Sequence, residues 1–178
     1  PYDAKGLLKS AIRDNDPVIF MESEQMYGDK GQVPEEEYTI PIGEAEVKKH
    51  GSDVTVVSFG KIIKEVFKAS EKLKEENIDL EIIDLRTIRP LDIETIIKSV
   101  KKTNRLITVE EGWPHCGIGA EISAIVMETD AFDYLDAPVE RVTGADVPMP
   151  YAANLERAAI PQVETICEAV RKTCNRQL

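Results

Sequence analysis

The sequence predicts an α/β fold: a mostly parallel sheet with helices on both faces over residues 42–178, preceded by a helix, a strand-length run and a connecting loop. Three observations carry this. Short apolar runs rich in β-branched residues (Val54–Phe59, Leu80–Leu85, Arg105–Val109, Val139–Val142) alternate with longer stretches whose apolar residues recur every three or four positions. Val54–Phe59 (VTVVSF) is β-rich and reads as a buried strand, and Val139–Val142 as a short one. Turn and cap residues (Gly60, Asp92, Gly117, Pro161) stand where strand should give way to helix.

In chain order, Asp3 is placed to cap a helix carrying Ala4, Leu7, Leu8, Ala11 and Ile12 at helical spacing. Pro17 ends it, because proline disfavours helical geometry in the residue before it. Val18–Met21 has the length and composition of a buried strand, and one helix with one strand closes no core, so this pair reads as the end of a sheet lying elsewhere. Residues 25–41, with Gly28, Gly31, Pro34 and the acidic run Glu35–Glu37, read as a connecting loop with a solvated acidic face. Ile42–Lys48 alternates as an edge strand would. Ile62, Ile63, Val66, Phe67 and Leu73 then line one face of an amphipathic helix. Asp92 caps a helix with Ile93, Ile96, Ile97 and Val100 inward. A helix is expected from about Gly119 to Met127, and Pro161 is suited to the first turn of a last helix carrying Val163, Ile166, Cys167 and Val170.

Charge narrows the function. With 22 basic against 33 acidic residues the net charge is -11, and no basic cluster offers the positive face that nucleic acid or an anionic membrane requires. No apolar run is long enough to span a bilayer, and no signal or transit pattern is visible. Cys167 and Cys174 lie two helical turns apart, roughly 10 Å along the axis, too far to bridge. Unpaired cysteines point to a reducing compartment.

The chemistry on offer is sparse. His115–Cys116 has no second close ligand pair, so no zinc spacing is met, and no nucleophile-base pattern stands beside Ser58 or Cys116. Leu106–Glu121 (LITVEEGWPHCGIGAE) is the densest stretch, holding the adjacent carboxylates Glu110 and Glu111, the single tryptophan and a Gly117-Ile118-Gly119 helix start. Two readings of the carboxylates stay open: a like-charge pair prepared for acid/base work, or acceptors for backbone N–H groups of the glycine loop. The glycines likewise suit either a phosphate cradle or close packing of helix on strand. The dinucleotide fingerprint itself is incomplete, lacking its third glycine and downstream acid.

Four stretches together resemble one family. DAKGLLKSAIRD (Asp3–Asp14), DLRTIRPL (Asp84–Leu91), TVEEGWPHCGIGAE (Thr108–Glu121) and TGADVPMPY (Thr143–Tyr151) are similar to the beta subunits of the thiamine diphosphate-dependent, decarboxylating component of pyruvate dehydrogenase complexes. Branched-chain 2-oxoacid and acetoin enzymes have similar subunits, and the Trp113-Pro114 loop and VPMPY segment look like the pyruvate version. The resemblance implies a transketolase-type C-terminal domain at 42–178, a connecting loop at 25–41, and at 1–24 the end of a pyrimidine-binding domain. It places thiamine diphosphate, its magnesium and the catalytic residues outside this chain, so no catalytic or cofactor-binding residue is assigned here. A free-standing nucleotide-binding α/β domain is the alternative of another class.

The resemblance further implies that the turn at Ala11, Asp14 and Asp16 contributes part of a site for a structural monovalent cation, potassium, with Asp16 standing where asparagine is common. It implies as partners an alpha subunit, a second beta subunit, and the basic subunit-binding domain of a dihydrolipoyl acetyltransferase, which Asp136 and the C-terminal Leu178 would face. Net charge -11 suits steering toward such a basic module. The expected location is bacterial cytoplasm, with a mitochondrial matrix as the alternative.

Overall fold

The computed structural model describes residues 1–175. Eleven elements run in the order α1 (Tyr2–Arg13), β1 (Glu46–Lys49), β2 (Val54–Ser58), α2 (Ile63–Lys74), β3 (Leu80–Asp84), α3 (Ile93–Thr103), β4 (Leu106–Val109), α4 (Ile118–Met127), β5 (Glu140–Val142), α5 (Ala153–Ala159) and α6 (Val163–Asn175). Short 3-10 turns occupy Glu24–Met26, Gly60–Ile62 and Asp130–Tyr134.

The sheet has the order β1-β3-β2-β4-β5; β2, β3, β4 and β5 run parallel and β1 pairs antiparallel with β3 at one edge. Alternation within the strands divides the core. Val54, Val56, Leu80, Ile82, Ile107, Val109 and Val142 meet α2 and α6 on one face. Val57, Ile83 and Leu106 meet α3 and α4 on the other. Both faces are therefore covered, and the central strands β2 and β4 are buried at every residue. Each fully buried Leu, Ile or Val contributes about 1.5–3 kcal/mol, so the two clusters hold most of the stability.

Local chemistry sets the ends. The Asp92 carboxylate accepts the Thr95 N–H at 3.0 Å and starts α3. Asn104, in the left-handed region at φ 58, ends it, with its N–H on the Val100 carbonyl at 2.8 Å. The last helix begins at Val163 rather than Pro161. The Gln162 side-chain amide donates to the Arg157 and Ile160 carbonyls (3.0 and 2.9 Å) and fixes a turn there, with Pro161 inside it. Helix α5, seven residues long with one buried residue, was not expected, since no apolar stripe announces it.

The N-terminal region departs most from expectation. Asp3 is not a cap: Pro1 holds that position, and Asp3 lies in the first turn, where its carboxylate receives Lys48 Nζ and Arg86 Nη2, each at 2.6 Å. Val18–Met21 forms no strand; Ile19 and Met21 are 90% and 88% exposed, because an apolar run with no neighbouring strand has no ladder to join. Helix α1 instead docks on the returning loop. The buried Gly6 lets Ile40 approach so closely that a Cβ would stand 2.6 Å from Ile40 Cγ1, and Tyr2 stacks on Tyr38 at 4.7 Å. The expected edge strand is present but shifted to Glu46–Lys49.

Candidate functional site

In a parallel sheet, ligands and partners gather at the carboxyl ends of the strands, and the Leu106–Glu121 stretch lies there. Just past β4, the Glu110 N–H still donates to the Val142 carbonyl at 3.0 Å, so the backbone stays in the sheet while the side chain leaves it. The Glu110 carboxylate, only 3% exposed, reaches across its own loop to the start of α4. There Oε2 accepts the Ile118 N–H at 3.1 Å and Oε1 the Gly119 N–H at 2.9 Å. Two N–H groups that a helix leaves unpartnered are satisfied by a charge that its dipole favours.

The glycines follow from this. A Cβ on Gly117 would stand 2.6 Å from Glu110 Oε1, and one on Gly119 would stand 2.9 Å from the same atom and press on the Thr108 hydroxyl. Close approach, not a phosphate cradle, is what they provide, and the amides that would hold a phosphate are taken. The start of α4 therefore offers a nucleotide no free amides. Nor do the adjacent carboxylates form an acid/base pair: Glu111 turns to Lys61 Nζ at 3.0 Å while Glu110 turns inward.

The loop between them is pinned to its neighbour. The Gly144 N–H donates to the Gly112 carbonyl (2.9 Å) and Arg141 Nη1 to the Pro114 carbonyl (2.7 Å). Behind, the Ala145 N–H donates to the Ala159 carbonyl at 2.9 Å. The joined loops carry Trp113, Val147, Met149 and Tyr151 exposed to solvent. His115 and Cys116 are exposed on the same loop, Cys116 in the left-handed region at φ 55. All three cysteines are free, and burial pushes the Cys167 thiol up. Among the described residues no cluster of His, Cys, Asp or Glu is arranged to hold a metal.

Ala11 lies in the last turn of α1, and Asp14 and Asp16 follow in the turn after it. Asp14 Oδ1 accepts the Asp16 N–H at 2.9 Å, so half of that carboxylate is engaged in the turn, and both aspartates are exposed. With the carbonyls of the last helical turn, which have no partner further along the helix, this is a partial set of hard oxygen ligands. Asp136 lies at the far edge of the sheet. Its N–H donates to the Asn104 carbonyl at 2.8 Å, and its half-exposed carboxylate stands 3.6 Å from Arg105 Nη2. Beside it Met127, Phe132, Leu135 and Val139 line a shallow apolar groove. Leu178 lies outside the described residues.

One residue had no role assigned from sequence. Arg86, in the left-handed region at φ 56, bridges Asp3 and Glu46 with a guanidinium only 11% exposed, and its Nε is buried without a partner. Burial pushes the Asp3 carboxyl up, but Lys48 and Arg86 outweigh it and hold it below its usual range. For Lys48, burial pulls down and Asp3 and Glu46 prevail upward. The signal in sequence is an arginine directly after a strand, which by itself announces no partner.

The transketolase, C-terminal domain family matches residues 43–166. Over 178 residues the chain is 56% identical to the pyruvate dehydrogenase E1 component subunit beta, mitochondrial, of Dictyostelium discoideum, covering 98% of this chain and 50% of that protein. Over 177 residues it is 54% identical to the pyruvate dehydrogenase E1 component subunit beta of Rickettsia felis, covering 98% and 54%. The chain thus spans about half the length of the curated relatives it matches. Among solved structures, a split-gene transketolase described as an inactive beta4 tetramer superposes with a TM-score of 0.68 at 25% identity, over 78% of this chain and 45% of that one. A 2-oxoglutarate:ferredoxin oxidoreductase from Magnetococcus marinus (TM-score 0.51, 16% identity, 74% of this chain and 19% of that one) shares the fold alone.

Proposed function

The chain belongs to the transketolase C-terminal-domain family, and we propose that it serves subunit assembly and docking as the C-terminal part of a pyruvate dehydrogenase E1 beta subunit. The observation that carries this is sequence identity of 52–56% running through 98–99% of the chain. In this reading the intact subunit, with its alpha partner and a second beta subunit, decarboxylates pyruvate and passes the acetyl group to lipoyl groups of a dihydrolipoyl acetyltransferase. Thiamine diphosphate and magnesium bind outside this chain, a potassium ion sits at the Ala11–Asp16 turn, and the location is bacterial cytoplasm or a mitochondrial matrix.

What this chain's own residues do is structural. Glu110 holds the Trp113 loop against α4, Gly112 and Gly144 join it to the Thr143–Tyr151 loop, and the exposed apolar side chains so presented suit burial in a subunit interface. Asp136 and net charge -11 favour a basic partner. The test is turnover: full-length subunit plus alpha partner should consume pyruvate with thiamine diphosphate and magnesium. Preference for a branched-chain 2-oxoacid or acetoin would move the assignment to those enzymes. Calorimetry of the 178-residue chain with thiamine diphosphate should show no binding that excess inorganic pyrophosphate does not displace, and micromolar affinity persisting in excess pyrophosphate would end the docking-only reading.

A further inference from the structure

Past β2 and β4 the chain departs to opposite faces of the sheet, since α2 packs on one face and α4 on the other. Such a divergence opens a crevice at the carboxyl ends of the two strands, where open α/β sheets take up ligands. Here it is a cavity of about 420 Å³, walled by Lys61 and Ile62 after β2, Glu111 after β4, Met26 of the connecting loop, and the Arg157–Gln162 turn. That volume falls within the roughly 300–1,000 Å³ of small-molecule pockets.

The charge of its lining runs against that of the whole molecule. Lys61, Lys64, Lys68 and Arg157 face it with only two carboxylates, Glu65 and Glu111, whereas the chain as a whole carries -11. Lys61, Lys64 and Lys68 each meet a carboxylate of this chain: Glu111, Asp29 and Glu65 respectively. Arg157 forms no ion pair among the described residues. The Gln162 amide, bonded to the Arg157 and Ile160 carbonyls, fixes the turn that presents it. A guanidinium is a planar fork that grips two oxygens of one phosphate or carboxylate, and Ile160 and Pro161 give a non-polar wall beside it.

We infer that this crevice binds a small organic anion bearing a phosphate or carboxylate group, with Arg157 as the anchoring cation and Lys61 and Lys68 flanking it. The site is separate from the start of α4, which Glu110 fills, and it does not depend on the beta-subunit reading. Pyruvate turnover by the intact enzyme and anion binding by this chain fail or succeed independently.

The experiment titrates the 178-residue chain with inorganic pyrophosphate and, separately, with succinate at constant ionic strength, followed by calorimetry and amide chemical shifts. One of the two should bind saturably, with shifts confined to residues around Lys61, Met26 and Arg157–Gln162; which one does so separates a phosphate from a carboxylate ligand. Arg157→Gln, an exposed position whose substitution leaves the core intact, should weaken binding by about tenfold or more. Lys98→Gln, on α3 across the sheet, should leave it unchanged. Absence of saturable binding by both anions, or equal losses in the two variants, would overturn the inference.

Discussion

The Glu110 carboxylate stands 2.9 Å from the Gly119 amide nitrogen and the same distance from where a Cβ on Gly119 would lie, so one contact explains both residues. Gly119→Ala should force that carboxylate or the Thr108 side chain to move and cost about 1–3 kcal/mol. Glu110→Ala, which leaves the Ile118 and Gly119 N–H groups unpaired, should cost about 2–3 kcal/mol. Urea unfolding of both variants checks the magnitudes, and the anisotropy of Trp113, the single tryptophan, should fall as its loop loosens. Wild-type stability and anisotropy in Glu110→Ala would remove the tether.

Asp92 joins two parts of the fold, since one carboxylate accepts Thr95 N (3.0 Å), Thr95 Oγ1 (2.8 Å) and Ala45 N (2.9 Å). Asp92→Ala should destabilise by about 1–2 kcal/mol. Burial pushes this carboxyl up, but the Thr95 and Ala45 donors outweigh it and its pKa is lowered below 3.8. A lowered pKa means that the contribution is fully present above the unfolded value and is lost as pH falls through the folded one. The gap between wild type and variant in denaturant should therefore be constant at neutral pH and close in strongly acidic solution.

Asp3 and Arg86, 83 residues apart, clamp α1 to the end of β3. Asp3 titrates below 3.8 and Lys48 above 10.5, so the clamp is intact between those values, lost as pH falls through the folded Asp3 pKa or rises through the folded Lys48 pKa. These groups are partly exposed, so Asp3→Asn should cost less than about 1 kcal/mol globally. Hydrogen exchange in residues 2–13 should nonetheless accelerate, and more so at high salt. Unchanged exchange would show that Gly6 and Ile40 alone hold the helix.

Asp136→Ala should weaken binding to the basic subunit-binding domain of a dihydrolipoyl acetyltransferase, mainly through slower association at low ionic strength. Surface-plasmon measurements across a salt series would read this. Identical affinities at low salt would take Asp136 out of the interface.

Much of this was legible in the order of residues. Asp92 caps α3 as expected because a cap needs only the next three residues. The strand and helix alternation from Val54 onward appears as read, because period and composition act within a few positions. Helix α5 escaped because its exposure leaves no stripe to read, and Val18–Met21 misled because apolar β-branched runs imply a strand only when another strand lies beside them.

The Trp113 loop shows the division most sharply. The sequence by itself determined that a glycine-flanked, doubly acidic loop would join a buried strand to a helix, since strand, turn and helix propensities are local. Only the tertiary structure decided that Glu110 turns inward to the α4 amides while Glu111 turns outward to Lys61. Nothing within a few residues distinguishes two neighbouring glutamates. What separates them is the pleat of β4, which aims one at the helix packed on that face and the other at a lysine fifty positions earlier.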